Sequence, residues 1–523
     1  MRTGSIACAA ALLLGATPVT TSQYDNARTG ATLTETALTP RNVAAASFGK
    51  IAALRVDGDV YAQPLVLPAV DVPGKGRRAV VFVATEHDSV YAFDASGASP
   101  NPLWHARFAD PERGVTAVPA RDLACPFIRP EVGITSTPVI DAATGTLYVL
   151  ARTKEAASGA SARYVQKLHA LDVRTGAEKL GGPVEIAATA DGRGAGSRDG
   201  KLAFDPLREN PRAALLLANG TLYLTWASSC DVGPYHGWVM AYDPRTLKQI
   251  AVLVTSPDAD DSGIWQGDTG PAADAFGDVF LATGNGAFDA AGTGGRDYGD
   301  SILRLTMSGN TLAIRDYFTP FDQADLNAQD GDLGSGGPLL LPDQPGAHKH
   351  LLVLGGKGGG LYVVDRDTMG KFRPRNNGHA VQAIDSGKSI FGAAAYWNGH
   401  VYALWSNDVL KDFALRDGRL SPQPVARGGT TFTDPGATPA ISANGERDGI
   451  VWVIETRGWR AADRPAVLRA YDAANVAREL YDSEQRAERD RAGTALRFTI
   501  PTVAGGRVYV GAKDELDVYG LLR

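Results

Sequence analysis

The chain has 523 residues, 44% hydrophobic and 21% charged, an ordinary globular balance that excludes disorder as its dominant state. Sixty Gly and thirty Pro against four Met describe a turn-rich β protein rather than a helical one. A formal net charge of -6 with no long Lys/Arg run leaves no electrostatic footprint for a polyanion, which excludes nucleic acid as the expected partner class.

In chain order, the opening MRTGSIACAAALLLGATPVTTSQ carries one early cation, Arg2, then an apolar run from Ile6 to Ala16 and a small, polar stretch. That is the pattern of an export signal, expected over residues 1–22, with one domain over 23–523 in the periplasm or outside the cell. The apolar run is far shorter than the roughly 20 residues that span a bilayer, so no transmembrane segment is predicted. Removing the signal leaves Cys125 and Cys230, and spacing alone leaves open whether the two meet in a disulfide. No CxxCH occurs, so the chain carries no c-type haem of its own.

From Gln63 onward one unit repeats. A proline-led strand, QPLVLPAV, is followed by AVVFVATEHDS, VYAFDASG and LWHARF. Later copies include TLYVLARTKE with LHALDVRTG, TLYLTWASS with WVMAYDPRT, and HLLVLGGKGGG with LYVVDRDTMG. Between Pro64 and Pro501 seven steps give a mean period of about 62 residues, the length of a four-stranded blade with sizeable loops. The eighth unit, IPTVAGGRVYVGAKDELDVYGLL, stops after three strands, and FGKIAALRV, Phe48–Val56, is the strand available to complete it. The predicted fold is therefore all-β: an eight-bladed β-propeller of four-stranded antiparallel blades, its ring closed by an N-terminal strand on the last blade. Such a ring has no free edge and is expected to be monomeric. The charged stretch ANVARELYDSEQRAERDR reads as a solvated face or one surface helix.

The VYAFDASG and LHALDVRTG repeats, the proline-led first strands and the unit length resemble the quinoprotein alcohol dehydrogenase-like propellers with their PQQ repeats. The resemblance covers essentially the whole mature chain. It implies a dehydrogenase that binds pyrroloquinoline quinone (PQQ) and calcium, oxidises a small alcohol or sugar hydroxyl, and passes electrons to a separate acceptor. The superfamily also contains cofactor-free propellers that bind other proteins, so the fold alone does not select the function.

The segment WQGDTGPAADAFGDVFLATGNGAFD to QDGDLGSGG carries the closest likeness. By resemblance, Asn285 of ATGNG is the calcium-binding asparagine and Asp332 the catalytic carboxylate that also meets the metal. Lys357 of KGGGLYVVDR is the basic residue directed at the quinone, Trp265 the aromatic floor, and Arg129, with Glu131 beside it, the partner of the quinone carboxylates. A hard cation with oxygen ligands beside a carboxylate base and an ammonium suits removal of a proton and a hydride from an alcohol carbon. Two departures stand out. The vicinal cysteine pair that covers the quinone in many members is missing, with Cys125 followed by Pro126. The family's calcium-binding glutamate falls on Val232, leaving Asp231 as the neighbouring metal-ligand candidate.

Two other function classes fit the same fold. One is a cofactor-free propeller that binds a protein, peptide or glycan in its funnel. The other is a polysaccharide lyase or hydrolase using His87 with Glu86 or His236 with Asp231.

Overall fold

The aspartate that recurs in VYAFD-type strands closes a turn. Asp94, Asp172, Asp243, Asp365 and Asp472 each accept the backbone N–H two residues on, at 2.7 to 3.0 Å, the local hydrogen bond that makes Asp a turn residue. The tyrosine of the preceding strand reaches out of its own unit. Tyr148 Oη donates to Pro244 O at 2.6 Å, Tyr402 Oη to Ala473 O at 2.7 Å and Tyr509 Oη to Ala95 O at 2.6 Å. In each pair the acceptor immediately follows a turn aspartate of the next unit, so the two halves of the sequence repeat latch one unit to its neighbour.

These units are the blades of a ring, seen in a computed structural model that describes residues 17–156, 161–267, 269–460 and 464–522. Blade 1 runs from its inner to its outer strand as Leu65–Val72, Gly76–Thr85, Ser89–Asp94 and Trp104–Arg107, all antiparallel. The second strands are buried on both faces, as in Thr146–Glu155, where eight consecutive residues are buried. A blade sandwiched between two others has no solvent face, which is why alternation is lost there. The core is accordingly a ring of apolar clusters between successive blades, such as Trp226 and Trp238 with Leu168 between blades 2 and 3.

Closure follows the expectation. Phe48–Arg55 pairs antiparallel with Glu515–Leu521 and supplies the fourth strand of blade 8. The charged stretch becomes the outer strand of blade 7, Glu479–Asp482, followed by the single helical turn Ala487–Asp490. Asp490 accepts from the backbone N–H of Lys50 at 3.1 Å, tying that turn to the closing strand.

Residues 1–16 of the expected export segment lie outside the described residues. From Val19 the chain is part of the ring. Val19 exchanges backbone bonds with Val66 of blade 1, and Thr20 O accepts from Ile140 of blade 2. Asn26 Nδ2 donates to Leu217 O of blade 3, while Asn26, Ala27, Thr29 and Gly30 carbonyls accept from Ala273, Leu340, Tyr396 and Ile441 of blades 4 to 7. Tyr24 Oη accepts from Val503 N of blade 8 at 2.9 Å. One short segment thus bonds to the innermost strand of all eight blades and fills the axis of the ring. Gly30, at φ +70°, passes so close that a Cβ there would sit 2.8 Å from Ala395 Cβ.

Candidate functional site

Between blades 1 and 2 the chain makes an insert, in which Val115–Pro119 pairs with Glu131–Val132 and extends the blade 2 sheet at Thr153–Glu155. Residues of the insert line a cavity of about 140 Å3 together with residues from blades 3, 4, 5, 6 and 8. Asp231, Trp265, Asp332 and Lys357 all line it. Asn285 joins them through its backbone N–H, which donates to Asp332 Oδ1 at 3.0 Å.

The geometry around Asp332 is set by two glycine-rich loops that leave no room for side chains. Lys357 N donates to Asp332 O at 2.9 Å and Gly358 N to Gly331 O at 2.8 Å, so KGGG lies along DGD. A Cβ on Gly284 of the TGN turn would stand 2.7 Å from the Trp265 ring, so the aromatic floor and the turn approach as closely as they do only with glycine there. Asp332 is 7% exposed. Burial pushes its carboxyl up from the ordinary value, against the Lys357 ammonium 3.4 Å away and the Asn285 N–H, which both favour the ionised form. For Lys357, burial would lower the ammonium, but Asp332 and Asp330 outweigh it and hold it above the usual lysine value.

Beneath both loops sits a carboxylate that the sequence motifs did not single out. Asp300 is fully buried, accepts from Leu333 N at 3.0 Å and donates its own N–H to Gly284 O at 2.8 Å. It pins the Asp332 loop to the TGN turn, and burial pushes its carboxyl up to about 7. Asp330, also unforeseen, pairs with the Lys357 ammonium. The signal for both lay in the aspartates of DYGD and QDGD, which motif matching passes over because nothing in their spacing separates them from turn residues.

On the blade 3 side, Asp231 sits in the left-handed region at φ 54° and accepts the Tyr235 hydroxyl at 2.9 Å. Cys230 beside it bonds to Cys125, closing the pairing that spacing left open across 105 residues. Both sulfurs belong to residues lining the cavity. In place of a vicinal pair, a long-range disulfide between the insert and blade 3 lines the cavity.

Arg129 stands apart from this cavity. It lies on the rim of an adjoining pocket, with Nε donating to Pro126 O at 2.5 Å. The guanidinium groups that do line the cavity are Arg212 and Arg497, which share the ring of Phe498 at 4.5 and 4.8 Å. Burial, then the neighbouring Arg212, lower the Arg497 guanidinium to about 9. Neither arginine belongs to a recognisable motif. Both reach the cavity only because blades 3 and 8 converge there.

The pairs named for hydrolytic chemistry do not form. His87 Nδ1 meets Glu131 Oε1 at 2.5 Å, whereas Glu86 accepts from Gly133 N and Thr135 Oγ1. The ring nitrogens of His236 lie on the carbonyls of Ser256 and Ala195, at 2.9 and 3.0 Å, away from Asp231.

The donor set suits the groups implied by resemblance. Asn285 Oδ1 is buried with no hydrogen-bond partner beside the Asp332 carboxylate, an oxygen pair fit for a hard cation. Among the described residues no cluster of three or more His, Cys, Asp or Glu stands ready to hold a metal, so a cation here would need further oxygens from its ligand. The cavity lining includes an indole, a disulfide and two guanidinium groups, residue types that suit a flat anionic ring system.

Comparison of the whole structure with solved ones finds the same ring. A quinohemoprotein alcohol dehydrogenase from Pseudomonas putida HK5 superposes with a TM-score of 0.62 at 15% identity, covering 100% of this chain and 82% of that one. The quinohemoprotein alcohol dehydrogenase of Comamonas testosteroni gives 0.61 at 16%, covering 99% and 84%. A europium-containing methanol dehydrogenase gives 0.55 at 14%, covering 96% and 98%. The chain thus shares with these proteins the fold of an eight-bladed β-propeller. No protein-family model matches the chain, and no curated protein does.

Proposed function

We propose that this chain is an exported quinoprotein dehydrogenase that oxidises an alcohol or sugar hydroxyl with PQQ and a hard cation such as calcium. The observation that carries the reading is the convergence of Trp265, Asp332 and Lys357, from separate blades and loops, on one cavity, with Asn285 bonded through its N–H to Asp332 and its own side-chain oxygen orphaned. When bound, the quinone supplies the two-electron acceptor for the substrate's hydride.

The chain's residues divide the remaining work. Asp332, unprotonated, takes the hydroxyl proton at Oδ2, the oxygen left free of the Asn285 N–H. Lys357 holds that carboxylate in place and places a positive charge where negative charge develops. Asn285 Oδ1 and Asp332 would hold the cation, with Asp231 of blade 3 as the candidate for a third oxygen. Trp265 and the Cys125–Cys230 bridge confine the ring system and keep water out. Arg212 and Arg497 meet its carboxylates. Electrons leave to a separate acceptor protein or dye.

Export is supported by the disulfide, which persists in an oxidising compartment. Because Val19 to Ser22 are packed into the ring, we place the processing site before Val19, a position that mass spectrometry of the mature chain reads directly.

The deciding experiment is a titration of the purified protein with PQQ and calcium, followed by absorbance and thermal unfolding. Saturable binding that raises the melting temperature, and that weakens in Asn285→Ala and Lys357→Ala, supports the reading. A folded protein indifferent to PQQ at high micromolar concentration would leave a propeller that binds a protein, peptide or glycan without redox chemistry.

A further inference from the structure

Next to the cavity lies a wider pocket of about 430 Å3. Its walls come from four distant stretches: Asp59 and Tyr61 ahead of blade 1, Pro126 to Arg129 of the insert, Trp459 and Arg460 of blade 7, and Thr494 to Leu496 with Lys513 of blade 8. Phe127 belongs to both pockets, and Arg497 of the inner cavity stacks on Phe127 and Trp459 at 4.2 and 4.7 Å. The two pockets thus share one wall of stacked aromatic and guanidinium groups.

The sign of the lining runs against the sign of the chain. Arg129, Arg460 and Lys513 face a single carboxylate, Asp59, in a protein of net charge -6. Burial and the nearby Asp514 push the Asp59 carboxyl up to about 7, while Lys513 favours its ionised form. Arg460 is engaged, pairing with Asp434 at 3.1 Å and lying over Trp459 at 4.5 Å. Among the described residues no carboxylate comes within ion-pair distance of Arg129 or Lys513. Arg129 and Lys513, two cations in a concave site with no carboxylate at ion-pair distance among the described residues, attract an anion from solution. Phe127 and Trp459, set edge to face at 5.8 Å and both reaching solvent, carry Arg460 and Arg497 over their rings and hold these guanidinium groups at the pocket.

We propose that this pocket is the substrate vestibule of the inner cavity and that it recognises an anionic sugar, a uronate, through its carboxylate. The proposal rests on the dehydrogenase reading and narrows its substrate class. A guanidinium fork and an ammonium match the two oxygens of a carboxylate. A short neutral alcohol uses neither.

The test is ligand-observed NMR on the whole protein with D-galacturonate and D-galactose, alone and after loading with PQQ and calcium. Galacturonate should bind saturably, more weakly as salt rises, and at least about tenfold more tightly than galactose. Arg129→Gln with Lys513→Gln, both on the surface, should remove most of that preference while leaving the thermal unfolding profile in place. Equal binding of the two sugars, no galacturonate binding by folded protein, or an unchanged preference in the double variant overturns the vestibule. PQQ titration of the same samples separates the two readings. PQQ binding without galacturonate selectivity removes the vestibule alone, whereas galacturonate selectivity without PQQ binding removes the redox reading alone.

Discussion

Asp332 illustrates how a side chain acquires a role that its motif only hints at. Its carboxylate is fixed from three directions, by the Asn285 N–H, by Lys357 and by its own backbone contact with the KGGG loop. Asp332→Asn keeps the acceptor for Asn285 and removes the base, so dye reduction should fall by about a hundredfold or more while PQQ still binds within a few-fold. A variant retaining its rate would take Asp332 out of the chemistry. Glu86 carries a different consequence, because burial lifts its carboxyl from 4.5 to about 8. Between those values the folded chain holds a proton that the unfolded chain has released, so stability falls as pH rises through this window. Glu86→Gln stays neutral throughout. Its melting temperature should lose less between pH 5 and pH 8 than the parent's, by on the order of 1 kcal/mol or more of stability. Parallel pH dependence in the two proteins would contradict the assignment.

At the scale of elements, the repeat is a joining device. Turn aspartates and second-strand tyrosines recur because each blade must present a hydrogen-bonded turn to its neighbour's hydroxyl. That is why the repeat was legible as sequence, and why the eight units and the closing strand could be placed from residues alone. The insert before blade 2 was less legible. Its strands are short, and its one covalent tie, Cys125 to Cys230, joins residues 105 apart whose proximity no local pattern encodes. Cys125→Ser with Cys230→Ser should cost about 2 to 4 kcal/mol of stability, as a bridge over a long loop does. If the bridge covers the ligand, the same variant should also weaken PQQ binding, a change that equilibrium titration distinguishes from the stability loss. Wild-type affinity in the disulfide-free protein would make the bridge a stabilising tie only.

For the whole molecule, the ring is closed twice. The strand Phe48–Arg55 closes it around the circumference, and the segment from Val19 to Gly30 closes it at the axis. Arg28 is the anchor of the second closure. It is fully buried and donates to Thr21 Oγ1, Ser22 O, Pro271 O and Leu215 O, linking the segment to itself and to blades 3 and 4. Arg28→Ala strands several buried acceptors and should destabilise the protein by about 3 kcal/mol or more, read from denaturant midpoints. A loss under about 0.5 kcal/mol would mean that the axial segment contributes little to the ring.

The sequence by itself determined the all-β class, the eight units, the order of the blades and the strand that seals them. Those follow from periodicity and turn chemistry, which act over a few residues and leave a repeated imprint. It also marked Asn285, Asp332 and Lys357 through resemblance of short motifs. Only the tertiary structure decided that Arg212 and Arg497, rather than Arg129, enter the cavity, that Asp300 supports both loops, and that His87 and His236 are committed elsewhere. Those facts depend on where loops from different blades converge, and convergence is a property of the closed ring that no single stretch of chain contains.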